Sequence, residues 1–343
     1  MDSAVTAGFD AVPLINDFAP ADYNFNNTSL GSTLYNWQFV GAANASISTE
    51  KNPGNIRYNS PGLYRVFLQS LNSRGRKDTI SKLIRVRPTL SAAFTIEPSF
   101  DDIDDYEAPL VATLQNNTIS ATTHNWQAPG GIISNATDSV PTVLYSNPGS
   151  YTVTYIAANE KQTQTVTQTI IVKANTGMRT FNNVKFGINT ADASIGSYFS
   201  TSLRQAFKSS EVNSMNADAV DICFFGLSNN FTFNKFISPD STQFFTFPII
   251  QNATTTSYVN VQEACNCGPA FTQAQFDNAA YGSMLNAINL PATGGRNSFS
   301  NMMIPRIVLF KNQAGKKGAI KIKQFTNNGL LSFILCDIKI QKD

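Results

Sequence analysis

The sequence predicts a mostly β protein: two tandem β-sandwiches over residues 11–87 and 88–174, then a C-terminal β-sandwich or barrel with one helix over residues 175–343. Three observations support this fold class. The first half of the chain repeats its own sequence. Apolar residues recur at every second position, which is typical of strands buried on one face. Charged residues make up only 14% of the chain, against a usual value of about 25%. Asn, Ser, Thr and Gln replace them, as on β-sheets that face water.

The repeat is clearest in two stretches, YNSPGLYRVFLQSLN from Tyr58 to Asn72 and YSNPGSYTVTYIAAN from Tyr145 to Asn159. Shorter matches extend it on both sides: NNTS recurs as NNTI, YNWQ as HNWQ, and KLIRV as QTIIV. Solenoid units are only about 20–50 residues long. The longer period therefore indicates one whole domain that has been duplicated.

Each copy has the pattern of a two-sheet sandwich. Tyr64, Val66 and Leu68 share one face of a strand, and the same alternation recurs in the second copy. The single Trp of each copy, Trp37 or Trp126, lies where a sandwich buries one large ring between its sheets.

A Pro-Gly turn precedes the Tyr strand in both copies, at Pro61-Gly62 and at Pro148-Gly149. At such a corner the Tyr hydroxyl can bond back to the backbone, as in immunoglobulin-like folds. We therefore expect Tyr64 and Tyr151 to make this bond.

The order of these residues resembles that of a PKD (polycystic kidney disease) repeat. The matching residues of the first copy are Tyr35, Trp37, Asn52-Pro53, Tyr58, Pro61-Gly62, Tyr64, Val66, Leu68, Asn72, Gly75, Asp78-Thr79, Ile84 and Val86. Those of the second copy are Trp126, Tyr145, Pro148-Gly149, Tyr151, Val153, Asn159, Ile170 and Val172. Both copies lack the Gly-Asp-Gly turn that the family has after the Trp.

The resemblance spans residues 11–173 and implies immunoglobulin-like sandwiches that act as extracellular spacers or adhesion modules. A short linker containing Pro88 separates the copies, which suits an extended rod. The acidic run DDIDDYE, Asp101–Glu107, occurs only in the second copy. It is either a calcium-binding loop or a solvated surface loop, and it lacks the glycine spacing of a calcium loop.

The charge and the hydropathy of the chain argue against nucleic acid as a partner and against a membrane-spanning segment. The net charge is +2, and the one basic cluster, Lys311–Lys323, is interpreted as a charged strand pair at a sheet edge rather than a nucleic-acid footprint. No run of about 18 apolar residues predicts a membrane span. The N-terminal residues lack the apolar region of a signal peptide. The chain is therefore either cytosolic or a mature form, and the rest of the sequence favours the mature form.

The third part of the chain, from about Thr176 onward, reads as strands with one helix. TFNNVKFGI, DAVDICFF, QFFTFPII, RIVLFKN, GAIKIKQF and LLSFILCDIKIQ are the predicted strands. Between Thr272 and Ile288, Phe276, Ala280 and Met284 recur at the spacing of one helical face. Thr272 followed by Gln275 matches a capping box. We expect one helix whose apolar face belongs to the core.

The four cysteines all lie in this part. The Cys265-x-Cys267 spacing and the position of the only His, His124, in another domain do not fit a zinc site. Cys223 and Cys336 lie in apolar strands, either bonded to each other or simply buried. Cys265 and Cys267 are either bonded to each other or reactive, since four cysteines allow three pairings.

The end of the chain, from FKNQAGKKG to IKIQK, resembles the closing hairpin of surface lipoprotein domains in the Bacteroidota, and GSYFST…DICFF resembles a pattern of the same group. Tandem sandwiches followed by a further domain resemble surface glycan-binding proteins that serve an outer-membrane transporter. This implies a non-catalytic protein on the extracellular face of the outer membrane, peripherally attached, with a lipid anchor upstream of this sequence. A polysaccharide or an outer-membrane protein would be its partner, and no nucleic acid or cofactor is expected.

Sugar binding requires exposed aromatic rings beside amide groups. Both Trp residues are assigned to the sandwich cores, so Tyr and Asn side chains of the C-terminal domain are the candidates. The predicted ligand-binding residues are Tyr198, Tyr258, Tyr281, Asn229, Asn230 and Asn297. The competing interpretation is that these tyrosines are ordinary half-buried sheet residues.

Catalysis is not expected. His124 lies inside a spacer repeat, and neither a phosphate loop nor a dinucleotide motif occurs. A glycosidase needs only two carboxylates, but those of the C-terminal domain, Asp218 and Asp221 among them, come without a recognisable signature. The alternative function is a structural or adhesion subunit of a surface assembly that takes no small ligand.

Overall fold

A computed structural model describes residues 4–291 and 297–342. The fold is mostly β, as predicted, and every strand pair is antiparallel. The chain divides into two compact units, Met1–Ala174 and Asn175–Asp343. Within the described residues, no helix is long and apolar enough to span a bilayer.

The first unit contains two β-sandwiches with separate cores. The first sandwich pairs β1 (Phe9–Pro13), β2 (Ala21–Asn27) and β5 (Ile56–Tyr58) in one sheet, and β4 (Ile47–Ser48), β3 (Leu34–Phe39), β6 (Gly62–Leu71) and β7 (Lys77–Val86) in the other. The second has β11 (Ile132–Ile133), β12 (Thr142–Tyr145), β9 (Leu110–Asn116) and β8 (Phe94–Pro98) in one sheet, and β10 (Thr123–Gln127), β13 (Gly149–Ala158) and β14 (Thr163–Val172) in the other.

The residues that identified the repeat hold equivalent positions in the two sandwiches. Trp37 and Trp126 are buried, and each indole N–H donates to a backbone carbonyl 2.9 Å away. The predicted tyrosine bonds are confirmed: Tyr64 Oη donates to the Ser60 carbonyl and Tyr151 Oη to the Asn147 carbonyl, both at 2.8 Å. The sequence repeat therefore corresponds to the same hydrogen bonds in the two sandwiches.

The second unit is a sandwich of a five-stranded and a four-stranded sheet. The larger sheet runs in the order β15 (Met178–Gly187), β23 (Phe333–Gln341), β22 (Lys317–Thr326), β21 (Arg306–Lys311) and β20 (Ser257–Val259). The smaller sheet runs β17 (Gln205–Phe207), β16 (Tyr198–Ser200), β18 (Ile222–Gly226) and β19 (Asn234–Ile237). Phe186, Phe224 and Ile320 belong to the core between the sheets.

Further apolar clusters cover the outward faces of both sheets. Leu309 faces outward with Phe276 and Leu285, whereas its neighbour Phe310 faces the inter-sheet core. On the smaller sheet, Phe225 faces outward against Phe247, and all five residues of β18 are buried. Strands covered on both faces lose the alternating pattern, which is why this half of the chain reads as continuous apolar runs.

Two predicted elements were wrong. QFFTFPII forms no strand; it contributes to a 3-10 turn, Pro239–Phe244, and to the cover of the smaller sheet. The predicted helix is interrupted: α1 spans only Gln273–Asn278, and a 3-10 turn follows at Gly282–Leu285. The capping box is confirmed, with Gln275 N donating to Thr272 Oγ1 at 3.2 Å.

The helix ends early because Gly282 must approach the backbone near the start of the unit. Gly282 N donates to the Thr176 carbonyl at 2.8 Å. A Cβ on Gly282 would lie 1.9 Å from the Gly177 carbonyl oxygen, so only glycine fits. Consequently Ala280 and Met284 are exposed, and Phe276 is the predicted face residue of α1 that is buried.

The interpretation of the basic cluster as a sheet edge was also wrong, because β22 lies in the middle of its sheet. Lysines of the larger sheet instead donate hydrogen bonds to the segment that covers its outward face, residues 273–288. Lys317 Nζ donates to the carbonyl oxygens of Asn286 and Ile288, both at 2.7 Å. From β23, Lys339 Nζ donates to those of Phe276 and Ala279 at 2.9 and 2.7 Å.

The cysteines separate into a bonded pair and two thiols. Cys265 and Cys267 form a disulfide. Cys223 lies in β18 and Cys336 in β23, in different sheets, and both are buried free thiols. Of the two alternatives for Cys223 and Cys336, a bonded pair or simply buried thiols, the structure has the second.

Candidate functional site: a polar cleft at one end of the second unit

A polar cleft of about 440 Å³ opens at the end of the sandwich where β15 and β18 begin and β21 and β23 finish. It forms because the side chains that point inward from the larger sheet are apolar in the core but polar just beyond it. Phe310 is followed two residues later by Asn312, and Ile340 by Lys342. The space between the sheets is therefore apolar in its middle and hydrophilic at this end.

Asp221 is the most buried charged residue of the cleft, with 6% of its surface exposed. Its carboxylate accepts hydrogen bonds from Thr201 N at 2.9 Å, from Thr201 Oγ1, and from Asn312 Nδ2 at 3.3 Å. Burial raises the pKa of Asp221, and the bonds from Thr201 and Asn312 oppose that shift. The side chain thus joins the two sheets at the floor of the cleft.

The backbone of Asp221 adds to this junction. Its carbonyl oxygen accepts bonds from Thr256 Oγ1 at 2.7 Å and from Tyr258 Oη at 3.1 Å. Because several strands meet at Asp221, the floor of the cleft is rigid and preorganised.

The walls of the cleft differ in charge. Arg179, Lys316 and Lys342 line it from the larger sheet, and Asp218 lies on the opposite side in the 3-10 turn Ala217–Ala219. The turn that presents Lys316 is fixed, since Lys316 N donates to Asn312 Oδ1 at 3.0 Å.

The remaining lining groups are mainly hydroxyls and amides, including Ser202, Thr254, Gln313 and Gln341. The described lining residues include no aromatic ring. This arrangement can hold a polar ligand by hydrogen bonds and charge, but it cannot stack a sugar face on a ring.

The structure corrects two of the predicted ligand-binding residues. Tyr198 and Tyr258 are core side chains, with only 1% and 4% of their surfaces exposed. Tyr198 faces the covered outer side of the smaller sheet, 5.5 Å from the Phe247 ring, and Tyr258 stacks on Phe236 between the sheets. Burial raises the pKa of both hydroxyls. Little of either ring is therefore exposed to a ligand, because apolar segments cover the outward faces of both sheets.

The other predicted residues lie elsewhere in the unit, away from the cleft lining. Tyr281 is 57% exposed and precedes the 3-10 turn over the larger sheet. Asn229 and Asn230 are in the turn after β18, which is the end of that strand opposite Asp221. Asn297 is half-buried. A role for these four in ligand binding stays a prediction.

Sequence reasoning named Asp218 and Asp221 only as carboxylates without a signature. It missed Thr201, Arg179 and Asn312 altogether. One signal in the sequence could have indicated the cleft: a charged or amide residue that lies two positions beyond the last apolar residue on the inward face of a strand. Asn312, two residues after Phe310, is an example. The partners themselves come from distant segments that only strand pairing brings together.

The acidic run of the second sandwich has a structural contact. Asp102 Oδ2 accepts bonds from Ser99 Oγ at 2.7 Å and from Val111 N at 3.1 Å, which closes the loop. Across residues 4–291 and 297–342, no group of three or more His, Cys, Asp or Glu side chains is placed to hold a metal ion.

Comparisons with known proteins give likeness only at the level of architecture. No family model matches the chain, and no curated protein matches it. Among solved structures, the PKD1 domain of the Vibrio cholerae metalloprotease PrtV is 28% identical over 24% of this chain and 98% of its own, with a TM-score of 0.20. A DUF4466 family protein from Parabacteroides merdae is 10% identical over 99% of both chains, with a TM-score of 0.34.

A structure of carbohydrate-binding modules from the β-sandwich superfamily is 16% identical over 46% of this chain and 59% of its own, with a TM-score of 0.24. The similar structures therefore include PKD domains of bacterial proteins and β-sandwich binding modules. With TM-scores this low, the comparisons are consistent with the mostly β, immunoglobulin-like fold and assign no ligand to this chain.

Proposed function

We propose that the protein is a non-catalytic cell-surface binding protein whose second unit captures a glycan in the polar cleft. The two PKD-like sandwiches serve as its stalk. It works on the extracellular face of the outer membrane of a member of the Bacteroidota, held there peripherally by a lipid anchor. The observation that carries the proposal is the cleft itself, a rigid, hydroxyl- and amide-lined cavity built around Asp221.

The chemistry of the cleft suits saccharides. Sugar hydroxyls both donate and accept hydrogen bonds; the Ser202 hydroxyl can do either, and the Gln313 side-chain amide can donate through Nε2. The volume of about 440 Å³ lies within the range of about 300–1,000 Å³ that is usual for small-ligand sites. Recognition by hydrogen bonds replaces the aromatic stacking predicted from the sequence.

A binding role fits the cleft better than glycoside hydrolysis. Hydrolysis by paired carboxylates needs both groups at the scissile bond. Both oxygens of Asp221 already accept bonds from Thr201 or Asn312. This carboxylate is used to join strands.

The test is affinity electrophoresis of the full chain through gels that contain plant, fungal and algal polysaccharides. Ala314→Trp would fill the cleft from an exposed turn without removing a side-chain hydrogen bond. Ala274→Trp, on the exposed side of α1, is the matched control. We expect at least one polymer to retard the unmodified protein and the control, but not the cleft variant. Equal retardation of both variants would exclude the cleft.

One observation favours the alternative function, a subunit of a surface assembly. Apolar side chains are exposed on loops at the other end of the unit, among them Leu227, Met302 and Leu330. Solvent-exposed apolar clusters often mark protein contacts. If no polysaccharide retards the folded protein, oligomerisation or co-purification with outer-membrane proteins would support this alternative.

A further inference from the structure

The edge strand of the second sandwich, β14, contains no charged residue. It is the last strand of its sheet, and within the described residues it pairs only with β13. Its sequence is TQTVTQTIIV, without proline or glycine, and its register with β13 is continuous, without a bulge. Edge strands normally carry charged residues, proline or a bulge, because these prevent pairing with another chain. β14 has none of these devices.

The backbone of β14 directs the hydrogen-bonding groups of alternate residues away from β13. Asn159 N donates to the Gln162 carbonyl at 2.9 Å, so the turn before β14 closes with a hydrogen-bonded pair. Such pairs alternate with non-hydrogen-bonded ones in antiparallel sheets. The residues whose N–H and C=O groups point outward are therefore Thr163, Thr165, Thr167, Thr169 and Ile171, and their side chains are exposed. Among the described residues, no hydrogen bond covers these backbone groups.

The equivalent strand of the first sandwich, β7, is protected. The Arg85 carbonyl, which points outward, accepts a bond from Tyr23 Oη at 2.7 Å. The outward N–H of Thr79 donates to the Asp78 carboxylate at 2.9 Å. The charged residues of β7 are Lys77, Asp78, Lys82 and Arg85. The two copies of the domain therefore differ at the edge where another strand could pair.

We propose that β14 is an interface between two copies of this chain, paired antiparallel about a two-fold axis at Thr167. Each of its outward-facing residues then exchanges both backbone bonds with the residue opposite. The opposed pairs are Thr167 with Thr167, Thr165 with Thr169, and Thr163 with Ile171. This interface does not depend on glycan capture.

A second copy fits this edge because β14 is complementary to itself. Uncharged, mostly β-branched side chains meet across the axis, and Thr–Thr pairs on neighbouring strands are favourable. The corresponding pairing of β7 with itself, about Ser81, would place Lys77 opposite Arg85. Like charges directly opposite each other are destabilising, so the first sandwich excludes the pairing that the second allows.

The test is sedimentation equilibrium of the full chain over a series of concentrations, where we expect a reversible dimer. Thr167→Lys places two ammonium groups opposite each other on the axis and should weaken the dimer at least about tenfold. Thr167→Val keeps an uncharged β-branched residue and should preserve it. Thr79→Lys adds the same charge to an exposed, outward-facing position of β7 and is the matched control, with no expected change. Fluorescence of the buried tryptophans verifies that each variant is folded.

Cross-linking locates the contact. Opposite residues in a hydrogen-bonded antiparallel pair have Cα atoms about 5.5 Å apart, which a disulfide can span. Thr167→Cys should therefore form a covalent dimer on oxidation, and Thr79→Cys should not. A monomer at every concentration, a dimer that Thr167→Lys leaves unchanged, an equal loss with Thr79→Lys, or equal cross-linking of the two cysteine variants would each overturn the inference. Glycan capture is tested separately by electrophoresis and would stand in each case.

Discussion

Lys339 anchors the segment that covers the larger sheet of the second unit, and its removal has a calculable effect. Its ammonium donates to the carbonyl oxygens of Phe276 at 2.9 Å and Ala279 at 2.7 Å, with a longer contact of 3.4 Å to Asp277. These carbonyls lie at the end of α1, where the regular helical hydrogen bonds stop; the Phe276 carbonyl also accepts a bond from Ala279 N at 3.2 Å. Lys339→Met keeps an apolar side chain of similar length and removes the ammonium group, which also lies 5.2 Å from the centre of the Phe276 ring.

A hydrogen bond to a charged group contributes about 1.5–3 kcal/mol, and water can reach part of this partly exposed site. We therefore expect the variant to lose about 2 kcal/mol of unfolding free energy rather than the full sum of two bonds. With a urea dependence of about 2 kcal/mol per molar, the midpoint of the second unit should fall by about 1 M.

The assay uses the position of the two tryptophans. Trp37 and Trp126 both lie in the first unit, so tryptophan fluorescence follows that unit alone, whereas circular dichroism follows both. The dichroism transition of the second unit should shift and the fluorescence transition should not. Lys311→Met, at an exposed lysine of β21, should change the free energy by less than about 0.5 kcal/mol. Equal shifts for the two lysine variants, or a shift in the fluorescence transition, would refute this account of Lys339.

Three further predictions concern the cleft, the second sandwich and the cysteines. Because the folded-state pKa of Asp221 is raised, its contribution to stability is present at acidic pH and is lost as the pH rises through that pKa. In urea titrations, the unfolding free energy of the unmodified protein minus that of Asp221→Asn should therefore fall from pH 4 to pH 8. A rise of this difference over the same range would contradict the shift. Tyr151→Phe removes the bond to the Asn147 carbonyl and should cost about 1 kcal/mol in the fluorescence-detected transition; an unchanged midpoint would show that the bond is not stabilising. Mass spectrometry after alkylation should find no modified thiol in the folded protein, two after unfolding, and four after reduction as well, since Cys265–Cys267 is bonded and the other two are buried.

The sequence was most informative where neighbouring residues decide the structure. Trp37 and Tyr64 could be assigned to the core and the corner of a sandwich because their spacing recurs in a second copy. The cap at Thr272 followed from a four-residue pattern. Contacts of this kind are local, so the sequence alone contains them.

The sequence failed where distant segments meet. The helix stops at Asn278 because Gly282 packs on Gly177, about a hundred residues earlier, which no local pattern records. Tyr198 and Tyr258 read as half-exposed strand residues, since alternation does not reveal that a third layer covers the outer face. The cleft depends on Asp221 meeting segments from two sheets, so its composition could not be predicted.

The covering layers also determine where a ligand can bind. In the described part of the second unit, apolar segments cover the outward faces of both sheets, so neither sheet offers a broad open platform for a long polysaccharide. What remains is the end of the sandwich, where the inward columns turn polar at Asn312 and Lys342. A site of this shape holds a short part of a ligand, a terminal sugar or one charged residue, by directed hydrogen bonds and charge. If the proposed function is correct, short oligosaccharides should therefore bind about as tightly as their parent polymers, and affinity that grows steadily with chain length would place the main contacts outside the cleft.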